Sequence, residues 1–459
     1  MKDTGHITQW GVDCIFVEEN NTISILPKDI NEFEKLRSHL NDENFLFTYC
    51  GVIGHKSTAF IECVRFGLMH DIKFIPKYII DHCHSDYFAG FDIIGDVIDN
   101  FFSPARYFYD RRKSEQDSKV DFIYGNEVAE EWTITFENKP LKISLSYGDI
   151  LKFGTASDLK LHPKLRIEFE RTTDTEFVFR VYLMIKRFFK VICYDTALGN
   201  FHVELFDNDN KLSYNGRFRD FTAVPEQYTK KYHEIEYGNF KPYIKKYLQF
   251  VADEPSYTFY HYPYNGGRFR GTDYTEIDFI NIFSAFESEC HSNSTLYEDV
   301  DTSKIQNIKG AVLEKISSIE RGGLEQEELD FLGNATNRIS QLGTQYGQSK
   351  KIINAYNILH KAIDSSIKRI LWRLPAKFEG HLQDADIKSI SNFLASKRGK
   401  IAHGGPYGMF SDSEAQKIRF LEILTYCMLL KRIGLSDNDI ERVIGVVFGC
   451  NFIVFNEKY

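Results

Sequence analysis

Hydrophobic and polar positions along this chain keep one period up to about residue 275 and a different one after it. In the first stretch, short runs of β-branched and aromatic residues alternate with turn formers, which is the pattern of strands. Cys14 to Val17 and Thr22 to Leu26 flank Glu-Glu-Asn-Asn and read as a hairpin. Phe45 to Ile53, Ser57 to Met69 and Ile72 to Ile80 read as the next strands, with turns at Gly54-His55 and His70-Asp71. Trp132 to Phe136 and Leu141 to Tyr147 bracket Glu137-Asn-Lys-Pro140, a second hairpin signal, and Leu165 to Arg171 and Glu176 to Tyr194 continue the series. Asp92 to Phe102 reads as a helical interruption, and Tyr228 to Ala252 mixes both patterns. Strands at this spacing predict a sandwich or a strongly curved sheet.

After residue 275 the period becomes helical. Ile277, Ile280, Phe283 and Phe286 recur in steps of three and predict a core-facing stripe. Further helices are expected over Lys304 to Ile319, Glu325 to Leu342, Ile352 to Leu374, Asp386 to Ala402, Glu414 to Ile433 and Asp437 to Val447. Leu374-Pro375 stops one of them and Gly434 separates the last two. The expected fold class is therefore α+β: a β-rich, sandwich-like N-terminal domain (1–255), a linker (256–275) and an all-α bundle (276–459).

Composition narrows the function classes. The 459 residues are 43% hydrophobic and 26% charged, which is a folded rather than a disordered chain. A formal net charge of −9 argues against a protein that coats nucleic acid or anionic lipid non-specifically. The eight cysteines form no CxxC pair or close-spaced framework, so neither a disulfide scaffold nor a zinc ribbon is expected. Met1-Lys-Asp-Thr-Gly-His-Ile-Thr lacks the apolar run of a signal peptide, and no apolar stretch nears the ~20 residues of a membrane helix. The expectation is a cytoplasmic protein with no membrane partner.

Candidate chemistry concentrates in Ile387-Lys-Ser-Ile-Ser-Asn-Phe-Leu-Ala-Ser-Lys-Arg398-Gly399-Lys400-Ile-Ala-His403-Gly404-Gly405. Ile387, Ile390, Leu394 and Ile401 form the buried stripe of a helix, and the two glycines end it. Arg398 precedes His403 by five residues, about 140° around an ideal helix, so the two converge only if the end unwinds or a second subunit approaches. Arg398 can hold two phosphate oxygens, and His403 titrates near neutral pH and can move a proton. The same pair also fits a helix cap, with the arginine bonding terminal carbonyls and the histidine drawn by the macrodipole.

Arg398-x4-His403 at the end of a bundle helix resembles the Arg-x4-His motif of HEPN-domain ribonucleases. Gly404-Gly405, the helix carrying Phe286-Glu287-Ser288, Tyr49-Cys-Gly-Val-Ile-Gly-His and Phe91-Asp-Ile-Ile-Gly95 are similar to the ApeA-type branch of that family, so the resemblance spans most of the chain. It implies a HEPN-type helical domain with metal-independent endoribonuclease activity in abortive-infection antiviral defence. It also implies homodimerisation through the helical domain, a regulatory N-terminal domain and a phage-derived trigger. Arg398 and His403 would be catalytic, Lys400 and Glu287 supporting, with RNA as partner and no metal or cofactor. Where the family pattern commonly has a polar residue after the arginine, this chain has Gly399.

Charge placement adds to that expectation. From Arg338 to Arg432 there are sixteen Lys or Arg against seven Asp or Glu, and Lys368, Arg369, Arg373 and Lys397 are candidate RNA contacts. Three other motifs read as structural. Tyr262-Pro-Tyr-Asn-Gly-Gly-Arg268 fits a linker before a single-stranded RNA platform, His82-Cys83-His84 lacks further ligands, and Asp207-Asn-Asp-Asn210 fits a hairpin turn rather than a calcium loop. Two alternatives to a nuclease remain on sequence grounds. One is a non-catalytic HEPN module that grips RNA or a nucleotide beside a ligand-sensing β-sandwich; the other is a carbohydrate-type binding sandwich with a helical dimerisation unit.

Overall fold

The computed structural model describes residues 2–7, 11–19, 22–40, 46–53, 58–66, 72–104, 128–149, 161–194, 198–199, 201–207, 214–221, 237–254, 262, 274–293, 302–341, 347–370, 384–402 and 410–448. The chain divides into two compact units, Met1–Glu254 and Pro255–Tyr459. The first is built on a β-sheet and the second is all helix.

The N-terminal unit runs β1 (Lys2–Ile7), β2 (Val12–Glu19), β3 (Thr22–Pro27), α1 (Ile30–Leu40), β4 (Leu46–Ile53), β5 (Thr58–Phe66), β6 (Ile72–Cys83), β7 (Phe88–Gly95) and α2 (Asp96–Phe101). It continues through β8 (Val128–Phe136), β9 (Lys139–Asp149), β10 (Leu161–Thr172), α3 (Thr175–Cys193), β11 (Phe201–Phe206), β12 (Tyr214–Asp220) and α4 (Ile244–Asp253). The strands form one sheet in the order β3-β2-β1-β4-β5-β6-β12-β11-β7-β10-β9-β8, with a further β3–β6 pairing. That pairing closes β1–β6 into a ring. Along one edge β6 pairs with β3 through Ile72–Phe74 and with β12 through Tyr78–Asp81, so this single long strand joins the ring to the open half of the sheet. The expected curved sheet is thus one continuous surface folded on itself.

Local chemistry explains the hairpins. Glu137 and Asn138 both take positive φ (49° and 62°) between β8 and β9, the geometry that matches the twist of a two-residue connection. At Gly90 on β7, a Cβ would lie 2.1 Å from the Ile167 carbonyl oxygen and 2.4 Å from Phe206 Cζ, so neighbouring strand and ring close over a position only glycine fits.

Two expectations need correction. Glu176 to Tyr194 is not a strand but the body of α3, and Asp92 to Gly95 is strand, with helix only over Asp96–Phe101. In α3 the side chain of Asp174 accepts from the Phe177 N–H, and Tyr194 ends the helix in the left-handed conformation. Phe177, Val178, Val181, Tyr182, Ile185, Phe188, Phe189 and Ile192 recur at helical spacing and are buried. Their β-favouring side chains disguised a 3.6-residue period, and packing overrode propensity. The Tyr78 ring lies 4.7 Å from that of Phe179, and Tyr182 lies 4.8 Å from Phe218, which seats α3 on the open half of the sheet. Asp220 on β12 accepts from Lys186 and from the Tyr182 hydroxyl, pinning the same face.

The C-terminal unit comprises α5 (Glu276–Ser292), α6 (Thr302–Ser317), α7 (Gln326–Gln341), α8 (Gln348–Ile370), α9 (Asp384–Ala402), α10 (Asp412–Ile433) and α11 (Asp437–Val447). Capping boxes start α5 at Thr275/Asp278 and α10 at Ser411/Glu414. Gly434, at φ 98°, ends α10, and Ser436 caps α11. Every residue from Phe420 to Leu430 is buried, so α10 is the axis around which α5, α8, α9 and α11 pack. The expected stripe on α5 is shifted: Phe279, Ile282, Phe283, Phe286 and Cys290 are buried, whereas Ile277 is 73% exposed. A strict three-residue step drifts off the face of a 3.6-residue helix.

Candidate active site

Helix α9 runs unbroken to Ala402, which places Arg398 about one turn before its end and His403 directly after it. Ile387, Ile390 and Leu394 are buried and fix the rotation of the helix, and Ser349 Oγ bonds Asn392 Oδ1 at 2.7 Å, tying it to α8. His403, Gly404, Gly405 and Arg373 lie outside the described residues. Lys368 and Arg369 belong to α8, and their side chains are likewise outside the described set.

Arg398 meets a carboxylate from α5. Its Nη2 stands 3.3 Å from both oxygens of Glu287, and Glu287 also accepts from Gln348 Nε2 at the start of α8. Three helices therefore converge on this corner. The Arg398 side chain is 40% exposed, and among the described residues Glu287 is its hydrogen-bond partner. A charge-assisted pair closes to about 2.7–2.9 Å when fully formed. At 3.3 Å, through one nitrogen, Glu287 holds the guanidinium by a long contact, and the side chain stays 40% exposed.

The neighbouring cation is engaged differently. Lys397 Nζ lies 3.3 Å from Glu414 Oε1 and 5.0 Å from the Phe410 ring. The Ser411 N–H and hydroxyl donate to Glu414, and these bonds, with Lys397 beside them, hold its carboxyl below its ordinary pKa. Glu287 and Glu414 are thus committed to different cations. Lys400 is exposed on the last turn of α9. Among the described residues no three His, Cys, Asp or Glu side chains group as metal ligands.

Sequence reasoning did not find the buried polar group two residues further along α5. Glu289, fully buried on α5, accepts from Arg432 Nη2 at 2.8 Å and from the Tyr262 hydroxyl at 2.9 Å. Tyr274 donates to the buried Glu422 at 2.6 Å. Tyr262 and Tyr274, from the segment read as a linker, are anchored in the helical core. Glu287 and Glu289 look alike in sequence; only the bundle's geometry separates the solvent-facing one from the buried one. Cys83 is buried and His84 exposed, while Asp207 is gripped by Arg171 and Ser85. No helix among the described residues is long and apolar enough to cross a membrane.

No protein-family model, curated protein or solved structure matches the chain, so the functional reading rests on its own residues.

Proposed function

We propose that this protein is a metal-independent endoribonuclease of the HEPN type, active as a homodimer through its helical unit and serving antiviral defence by abortive infection. The observation that carries the reading is the state of Arg398: oriented by Glu287 from a neighbouring helix, half-exposed, about one turn before the end of α9. RNA supplies its own nucleophile. His403 takes the proton of the 2′-hydroxyl as that oxygen attacks the adjacent phosphorus. The P–O5′ bond breaks, and the 5′-oxygen leaves with a proton from a second imidazolium or from water. Arg398 stabilises the charge that builds on the non-bridging oxygens. The products are a 2′,3′-cyclic phosphate and a 5′-hydroxyl. Lys400 and the basic residues Lys368, Arg369, Arg373 and Lys397 supply the attraction for the RNA backbone, and the β-sheet unit is the regulator that answers a phage-derived trigger.

The test is cleavage of total RNA, 2′-O-methyl RNA and DNA by the purified full chain, with and without EDTA. Cleavage of unmodified RNA alone, insensitive to chelator and lost in Arg398→Ala and in His403→Ala with the helical circular dichroism unchanged, is expected. Activity that needs a metal, or that survives either substitution, would overturn the assignment. Gly399, which offers no side chain beside Arg398, favours the second reading of a non-catalytic RNA- or nucleotide-binding module; RNA retention without cleavage is the result that would support it.

A further inference from the structure

Helices α6 and α7 form a hairpin that no core covers. Each has 16 residues, and none of the residues from 306 to 340 is buried. Their principal packing is against each other, with Lys309 Nζ bonding the Ser340 carbonyl at 2.7 Å across the pair. Leu313 and Ile316 of α6, and Leu329, Leu332 and Ile339 of α7, are only half-covered. Ile308 (56%), Ile319 (41%) and Phe331 (72%) face solvent, and Ile319, Leu324, Phe331 and Leu332 line a groove at the turn with Glu327 and Glu328. Isolated helices of this length are marginal in water, and helical stability comes mainly from burying an apolar face. Gly310 and Gly333, with open space around each, weaken the two helices further.

We propose that this hairpin is a self-association surface, covered by the same hairpin of a second copy in a two-fold, four-helix arrangement. Charge selects that occupant. Helix α6 carries Lys304, Lys309 and Lys315 against Glu314, whereas α7 carries Glu327, Glu328 and Asp330 against Arg338. In an isologous dimer the basic helix of each copy meets the acidic helix of the other, so every favourable pairing occurs twice. Two helices of this length present a face of roughly 24 by 20 Å, about 480 Å² in projection before side-chain relief is added, against the roughly 800 Å² per partner of a standard specific interface. The surface gives a location to the dimer invoked above, but its existence does not depend on RNA cleavage.

The experiment is sedimentation velocity on the full chain, comparing the native sequence with Ile308→Asp/Phe331→Asp and with a charge-reversed chain. Both apolar positions are exposed, so the helical circular dichroism of the first variant is expected to stay native. Its mass is expected to fall from twice the chain's 53.4 kDa to that of one chain. Reversing charge on both helices (K304E, K309E, K315E with E327K, E328K, D330K) is expected to preserve self-association and to abolish mixed dimers with the native chain. A native chain that is monomeric, a double-aspartate variant that stays dimeric, or free mixing of reversed and native chains would each overturn the assignment. Loss of RNA cleavage with the dimer intact would count against the nuclease reading alone.

Discussion

Helix α5 presents two glutamates, two residues apart, to two arginines, and they differ chiefly in solvent. Glu287 is 27% exposed against Arg398 at 40%, at 3.3 Å; Glu289 is fully buried against Arg432 at 11%, at 2.8 Å. Truncating a partner in a buried pair leaves an uncompensated charge and costs about 3–5 kcal/mol, whereas an exposed pair contributes about 0–1 kcal/mol. For a unit of roughly 200 residues, each kcal/mol moves Tm by about 2–4 °C. Glu289→Ala, which also removes the acceptor of the Tyr262 hydroxyl, is therefore expected to lower the melting of the helical signal by about 6–20 °C. Glu287→Ala is expected to lower it by no more than about 4 °C.

Thermal melts followed at a helical wavelength, with Arg398→Ala and the Glu287→Ala/Arg398→Ala double variant completing a cycle, measure this directly. The expected coupling between positions 287 and 398 is below about 1 kcal/mol. Equal losses at 287 and 289, or a coupling of several kcal/mol between Glu287 and Arg398, would refute the claim that the tether is loose. With the stability effect bounded this way, a fall in RNA cleavage by Glu287→Ala beyond what unfolding explains reports displacement of the Arg398 guanidinium. That separation makes Glu287 a positioning residue that can be tested apart from the fold.

Gly399 lies inside α9 with open space where a Cβ would be, so Gly399→Ala is expected to raise stability by about 0.5–1 kcal/mol, read as a higher Tm, and a lower Tm would contradict it. The hydrogen bonds from Ser411, then Lys397, hold the Glu414 carboxyl below its ordinary value of 4.5. A depressed carboxylate contributes stability that is present above its unfolded pKa and is lost as pH falls through the folded one. The Tm gap between the native chain and Glu414→Gln is therefore expected to be full near neutral pH and to narrow in melts below pH 4.5; a gap that widens on acidification would refute this.

Much of the fold was legible where local chemistry decided it. The helices of the C-terminal unit were read within a few residues of their described ends, and Gly434, which ends α10 at φ 98°, shows how such chemistry acts at short range; the stop read at Leu374-Pro375 lies outside the described residues. Helix α3 was missed because Val, Ile, Phe and Tyr dominate it, and these strand-favouring residue types outweighed a helical spacing that its buried positions do carry. Closure of β1–β6 was not legible either. It depends on Ile23–Ile25 meeting Ile72–Phe74 across a long sequence separation, which no local pattern encodes. At the candidate site the motif arginine and a carboxylate on the Phe286-Glu287-Ser288 helix were legible, but Gln348 was not, because its role exists only once α8 begins beside Glu287.

The hairpin and the arginine site are connected through the chain. Helix α5 ends at Ser292, five residues past Glu287, and α8 begins at Gln348, which bonds that same carboxylate; the hairpin is the excursion between them. Its two ends therefore leave and re-enter the bundle close to the Glu287–Gln348 contact, the contact that orients Arg398. If a second copy covers the hairpin, the start of α8 at Gln348, and with it the hydrogen bond to Glu287, is expected to open less often than in a chain whose hairpin is uncovered. Dimerisation and arginine positioning would then be two readings of one equilibrium. Coupling of this kind requires a differential contact rather than proximity alone, and the Gln348–Glu287 hydrogen bond is the contact available to supply it. If a hairpin variant is monomeric yet cleaves RNA at the native rate, one chain's Arg398 and His403 suffice and the coupling is absent. If mass and cleavage fall together while Glu287→Ala in the dimer loses cleavage alone, assembly acts upstream of the tether.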